Sequence, residues 1–253
     1  MDFFLPYGIF ILFCIVCVMI ARKKRKLLVL LLFVVLEVIV LLVFMVISHS
    51  VSVEDPAYFA DTNLKVAVET KLGISDPTPT DMLGLISLNA DSRNITDITG
   101  LEYATNLTTL NLPKNQISDI SSLSGLTNLT DLNLDNNQIS DISSLSGLTN
   151  LTDLFLMNNP LSDISSLSGL TNLTTLSLHG NQLSDISSLS GLTHLTSLHL
   201  QNNQLSDISS LSELTKLRDL NIKGNPLNSP SYDIYIPLIK TNNPEIDLDY
   251  NPR

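Results

Sequence analysis

Between Gly84 and Leu227 the apolar positions fall in a fixed order. Leu107, Leu110, Leu112, Ile117, Ile120, Leu123 and Leu126 recur with the same spacing 22 residues later, and "NQISDISSLSGLTNLTDL" from Asn115 to Leu132 returns unaltered from Asn137 to Leu154. Over Thr109 to Pro113 apolar and polar residues alternate with period two. This predicts a short strand with Leu110 and Leu112 inward and Thr109, Asn111 and Pro113 outward. A turn at Asn115 follows, and the "SDISSL" stretch reads as a short helical turn.

Seven such units begin at Gly84, Asn106, Asn128, Asn150, Asn172, His194 and Lys216. One strand of this kind cannot bury its apolar face alone, but stacked neighbours share a continuous core. The frame L-x-x-L-x-L-x-x-N-x-(I/L) is the leucine-rich-repeat signature. It predicts an α/β fold: a right-handed solenoid with a concave parallel β-sheet, closed by N- and C-terminal caps. Asn115, Asn137, Asn159, Asn181, Asn203 and Asn225 follow the strands, where a buried amide can satisfy backbone groups that the bend leaves unpaired. Arg93 stands there in the first unit. Asp97, Asp119, Asp141, Asp163, Asp185 and Asp207 also recur at 22. As caps of the short helical turns they offset their mutual repulsion without a metal, and a row spreads its oxygens too widely for calcium.

The front of the chain has a different pattern. Residues 3–21 form an uncharged apolar run and residues 27–47 a second one that holds only Glu37, with the basic cluster 22–26 between them. Runs of about 20 apolar residues match the ~30 Å hydrocarbon core of a bilayer. The pattern predicts a transmembrane hairpin over 1–48, its basic turn inside, and hence a two-helix, multi-pass cell-membrane protein with extracytoplasmic repeats. The remaining divisions are a juxtamembrane segment and helical cap over 49–83, the repeats over 84–227, and a C-terminal cap over 228–253. In the first cap Leu64, Val68 and Leu72 share a helical face, with Asp61 or Thr62 as N-cap and Gly73 as a stop. The second cap reads as a helix near Tyr232 to Lys240 and a final strand. No further domain, sorting motif or linker is expected after it.

Composition narrows the function. Cys14 and Cys17, the only cysteines, lie in the first apolar run and read as apolar filler. From His49 onward there are 23 acidic and 9 basic residues, a net of −14, which argues against nucleic acid as a partner. Four histidines, no phosphate-binding glycine loop and no metal-ligand spacing predict no enzyme, no cofactor and no metal site. The sequons at Asn94, Asn106, Asn128, Asn150 and Asn172 read as copies of the repeat frame.

The units "NLTTLNLPKNQISDISSLSGLT" and "NITDITGLEYATNLTTLNL" resemble the 22-residue repeats of the internalin family of bacterial surface proteins, over about Glu54 to Arg253. The resemblance implies a binding module rather than an enzyme. The chain departs from that family in having two apolar runs in place of a cleaved signal, and no immunoglobulin-like segment or sorting motif. Host-cell invasion is therefore not carried over.

The outward half "SDISSLSGLT" is copied five times with one change, Glu213, including serines expected to face solvent, whereas the strand positions vary. Variation on the sheet face points to a ligand site there. Phe155, Met157, His179 and His199 are the candidate hot spot, framed by Asp131, Asn133 and Asp153. The expected ligand is a protein or a cell-envelope polysaccharide, bound by a monomeric ectodomain. One alternative is an accessory scaffold held in a membrane complex through the hairpin. Another, if the repeats are cytoplasmic, is a scaffold like the eukaryotic phosphatase regulators of the same period.

Overall fold

A computed structural model of the chain describes residues 34–41 and 54–252. The chain divides into two units, Met1–Val53 and Glu54–Arg253. The expected multi-pass localisation is corrected by the first of them. Among the described residues no helix is long and apolar enough to cross a membrane. Residues 34–41, which include Glu37, are helical. At 1.5 Å per residue they span only about 12 Å, against the ~30 Å of a bilayer core. The run 3–21 with its two cysteines, the cluster 22–26 and the rest of 27–47 lie outside the described residues.

The second unit opens with helix α1, Thr62–Leu72. Asp61 caps it by accepting the Asn63 and Leu64 N–H groups at 2.7 and 3.2 Å, and Gly73 closes it at φ 71°. Its Leu64, Ala67 and Val68 are buried against the first repeat, while Leu72 is partly buried. A single helical turn, α2 (Pro79–Met82), follows with a capping box between Thr78 and Asp81. The box joins the two residues reciprocally through backbone N–H and side-chain oxygen.

Eight strands of three residues each then pair in chain order as one parallel sheet: β1 Ser87–Asn89, β2 Thr109–Asn111, β3 Asp131–Asn133, β4 Asp153–Phe155, β5 Thr175–Ser177, β6 Ser197–His199, β7 Asp219–Asn221 and β8 Asp247–Asp249. The register never slips, so Leu88, Leu110, Leu132, Leu154, Leu176, Leu198, Leu220 and Leu248 form one row. The strands are shorter than their pairing: Leu112 N–H and Lys114 N–H still donate across to Asn133 and Asp135 carbonyls at 2.9 Å. Opposite the sheet each of the first six repeats carries a 3-10 turn, such as Ser121–Leu123, whose leucine points inward. The core between the two layers is almost pure leucine and isoleucine, nearly all at 0–4 % exposure. After the last repeat a π-helical turn (Ser231–Tyr235) leads into α3, Ile236–Asn242, and then β8. Ile236 and Ile239 cover the open end of the core.

Three rows of polar side chains bind neighbouring repeats together. Asn137 Nδ2 donates to Leu134 and Leu112 carbonyls at 3.0 Å, while its Oδ1 accepts the Ile117 N–H at 3.1 Å. Asn115, Asn159, Asn181, Asn203 and Asn225 repeat this pattern. Arg93 stands in this column in the first unit, which has no repeat before it, and its own N–H donates to Asn115 Oδ1 at 3.0 Å. A second row runs through the sequons. Asn128, Asn150 and Asn172 each donate Nδ2 to a carbonyl one turn of the solenoid back, Asn106 donates to Leu83 O just before the first repeat, and His194 Nδ1 lies 3.0 Å from Thr171 O in the same place. The third row comprises Thr108, Thr130, Thr152, Thr174 and Thr196, whose hydroxyls donate to carbonyls one repeat back.

Of two expectations about the outer half, one changes. Asp119, Asp141, Asp163, Asp185 and Asp207 do cap the 3-10 turns, each accepting the N–H two residues on at 2.8 Å. These bonds hold the Asp141 and Asp185 carboxyls below their usual pKa. The serines, however, are not all solvent-facing. Ser122, Ser144, Ser166, Ser188 and Ser210 are half-buried, and Ser166 and Ser188 donate to Ile142 and Ile164 carbonyls at 3.1 Å. Part of the copied stretch is therefore structural, which accounts for its constancy without reference to a ligand.

Candidate functional site

The first and third residues of each of β1 to β7 flank a buried leucine, so they emerge together on the open face of the sheet. The candidate residues all lie there. Asp131 and Asn133 belong to β3, Asp153 and Phe155 to β4 and His199 to β6; Met157 and His179 follow β4 and β5. All seven are half-buried.

Register brings some of them into direct contact range. Asp131 pairs with Asp153 and Asn133 with Phe155 on adjacent strands, about 5 Å apart. Asn158 N–H donates to His179 O at 2.8 Å, so Met157 and His179 are also neighbours across β4 and β5. His199 is different. Ser177 stands between it and Phe155, leaving roughly 10 Å between those two strands. Ser177 is buried beneath them at 8 % exposure.

Both imidazoles are engaged on the side away from Phe155. His199 Nε2 lies 2.8 Å from Asp219 Oδ2, which also accepts the Ser197 hydroxyl at 3.1 Å. His179 Nδ1 is 3.0 Å from Gln201 Nε2, and its Nε2 is 3.1 Å from Asn202 Nδ2. The face is thus two connected zones: an apolar and anionic one around Phe155 and Met157, and a hydrogen-bonded imidazole zone over β5 to β7. Among the described residues no three His, Cys, Asp or Glu side chains converge as a metal site would require.

Asp219, Gln201, Asn202 and Asp135 belong to this surface although they were not among the candidates. Register arithmetic could have found two of them: Asp219 falls in the column of Asp131 and Asp153, and Gln201 follows His179 by one repeat. Asp135 accepts the Met157 N–H at 2.6 Å. Burial pushes its carboxyl pKa up, although the Met157 N–H and nearby His179 pull the other way. Asp131 is likewise raised, by burial first and then by the Asp153 charge. Of the two, only Asp131 is raised in part by a neighbouring negative charge.

The family described as Leucine Rich repeats (2 copies) matches residues 105–147, 149–191 and 193–233. An internalin, inlF, from Listeria monocytogenes is 33 % identical over 79 % of this chain with a TM-score of 0.71, and this chain spans 58 % of it. Internalin C2 from the same organism is 31 % identical over 79 % of this chain and 99 % of its own, with a TM-score of 0.60. The plant peptide hormone receptor RGFR1 in complex with RGF2 is 31 % identical over 62 % of this chain and 26 % of its own, with a TM-score of 0.53. No curated protein matches the chain. The repeat frame, the unbroken parallel register and these likenesses lead to one conclusion: the chain belongs to the leucine-rich-repeat family, in its internalin-like bacterial form.

Proposed function

We propose that the chain is a recognition module that binds a protein ligand on the concave face of its sheet, centred on Phe155 and Met157. One observation carries this reading. Phe155 is the only phenyl ring on the eight strands, and its register neighbours are the small or polar Asn133 and Ser177. It rises from a row otherwise held by Asn, Ser, His and Asp. An aromatic and a methionine side chain surrounded by polar groups is the composition of an interface hot spot with its rim. His179, His199, Asp131, Asn133 and Asp153 supply that rim. The repeat frame supports the reading by accounting for every leucine and asparagine of the core while leaving Phe155 and Met157 without a structural duty. The plant receptor, whose structure holds RGF2, gives a related repeat surface a polypeptide-binding precedent.

The test is selection of a random peptide library on the full-length chain and on a folded Phe155→Ala/Met157→Ala/His199→Ala variant. Peptides that bind the wild type should weaken on the variant by about tenfold or more. Equal binding by a variant with an unchanged circular-dichroism spectrum overturns the site.

A further inference from the structure

The carboxylates of the sheet face are not equivalent. Asp219 is paired with His199 and Ser197, and Asp249 with Lys223 at 2.6 Å. Asp135 holds a backbone N–H. Asp131 and Asp153 stand side by side in register, and among the described residues neither is in an ion pair. Beyond the backbone bonds of the two residues, no hydrogen bond or ion pair reaches the Asp131 carboxylate among the described residues, and the Asp153 carboxylate accepts only the hydroxyl of its own neighbour Thr152, at 2.7 Å.

The fold does not ask for these charges. The same column holds Thr109, Thr175 and Ser197 in other repeats, and the strands pair there as well as they do at β3 and β4. Like charges directly opposite each other on adjacent strands are destabilising. Two unneutralised carboxylates have therefore been placed, against the local preference, beside Phe155: Asp153 two residues before it on β4 and Asp131 on the adjacent β3.

We infer that the ligand segment seated on this face is basic, and that an arginine or lysine side chain of a protein partner binds between Asp131 and Asp153 and against Phe155. Charge complementarity carries the assignment. A guanidinium presents its donors in a planar fork that two carboxylates can share, and it stacks on an aromatic face. The same cation relieves the repulsion between the aspartates, so binding and removal of a local penalty coincide. Asp135, which follows β3 and accepts the Met157 N–H, extends the anionic border, and residues from His49 onward carry a net −14, which favours encounter with a positively charged partner. The inference rests on the concave-face reading above but is narrower than it.

The same peptide library distinguishes the two. On the wild-type full-length chain, enriched sequences should hold Arg or Lys beside an apolar residue. The Asp131→Asn/Asp153→Asn variant should lose that enrichment, and the best wild-type peptide should bind it about tenfold more weakly, with a smaller dependence on sodium chloride. Enrichment of neutral or acidic peptides by the wild type overturns the inference, as does unchanged selection by the aspartate variant. So does competition in which calcium chloride displaces the basic peptides at ionic strengths where sodium chloride does not, since the pair would then be a cation site. If Phe155→Ala/Met157→Ala weakens every peptide while the aspartate variant weakens none, the concave-face reading stands and this one falls.

Discussion

Asn159 Nδ2 donates to Leu134 O at 3.0 Å while its Oδ1 accepts the Ile139 N–H at 3.0 Å, so one buried side chain closes two backbone groups of the preceding repeat. A further bond to Leu156 O, at 3.2 Å, holds its own turn. None of these partners has water to fall back on, because Asn159 is only 4 % exposed.

Asn159→Ala should therefore lower unfolding stability by about 3–5 kcal/mol, since each stranded buried group costs about 1–3 kcal/mol. A urea transition with a lower midpoint and an unchanged slope is the expected record. A loss below about 1 kcal/mol would show that the turn re-forms with other partners.

Asp61 predicts a pH dependence with a definite sign. Burial alone would raise its pKa, but hydrogen bonds from the Thr96, Leu64 and Asn63 N–H groups and the Thr96 hydroxyl outweigh that and hold it below the usual carboxylate value. A depressed folded-state pKa means that its contribution is fully present above the unfolded value of about 3.9 and disappears as pH falls through the lower folded one. Asp61→Asn should thus have a lower Tm than wild type at neutral pH, and the two curves should converge in acid. Parallel Tm curves down to the acid limb would separate the cap from the pH response.

The core and the asparagine row were legible because they obey a period. Leu110, Leu112 and Asn115 mean the same thing in every repeat, so one unit reads for all. The sheet-face site was legible as a column but not as a set of bonds. The bond between His199 and Asp219 joins residues 20 apart in sequence and depends on how two side chains turn, which alternation along a strand does not specify. The outer serines were misread because composition shows a small polar residue and not the carbonyl of the preceding repeat beneath it. The run 27–47 was read from length and hydropathy alone, and the helix described within it covers 34–41.

The third position after each of the first seven strands carries a left-handed residue, and its occupants predict effects of opposite sign. Lys114 sits at φ 54°, where Ser92, Asn136, Asn158 and Asn202 serve in other repeats and Gly180 and Gly224 in two more. Asparagine tolerates this conformation better than lysine, so Lys114→Asn should stabilise by about 0.5–1 kcal/mol. Gly180 is the reverse case: at φ 67° a Cβ would also come 2.2 Å from Asn158 Oδ1. Gly180→Ala should cost about 1–2 kcal/mol from the backbone alone, plus a clash that Asn158→Ala removes. A double-mutant cycle by chemical denaturation would measure that coupling, and additive effects would exclude the clash.

The outer serines offer a comparison within one molecule. Ser166 and Ser188 each donate to a carbonyl one repeat back, at 3.1 Å, whereas the Ser144 hydroxyl is buried without a partner. Their sequence surroundings are the same "SDISSLSGLT", so propensity and side-chain entropy cancel between the sites. What remains is the bond. Ser166→Ala and Ser188→Ala should each destabilise by about 0.5–1.5 kcal/mol, the net worth of an intramolecular hydrogen bond. Ser144→Ala should be neutral or slightly stabilising, because it removes a buried hydroxyl that has lost its water and gained nothing in return. Equal losses at all three positions, read from urea midpoints on the full-length chain, would mean that Ser144 also reaches the repeat before it, and that the serine row runs unbroken along the solenoid.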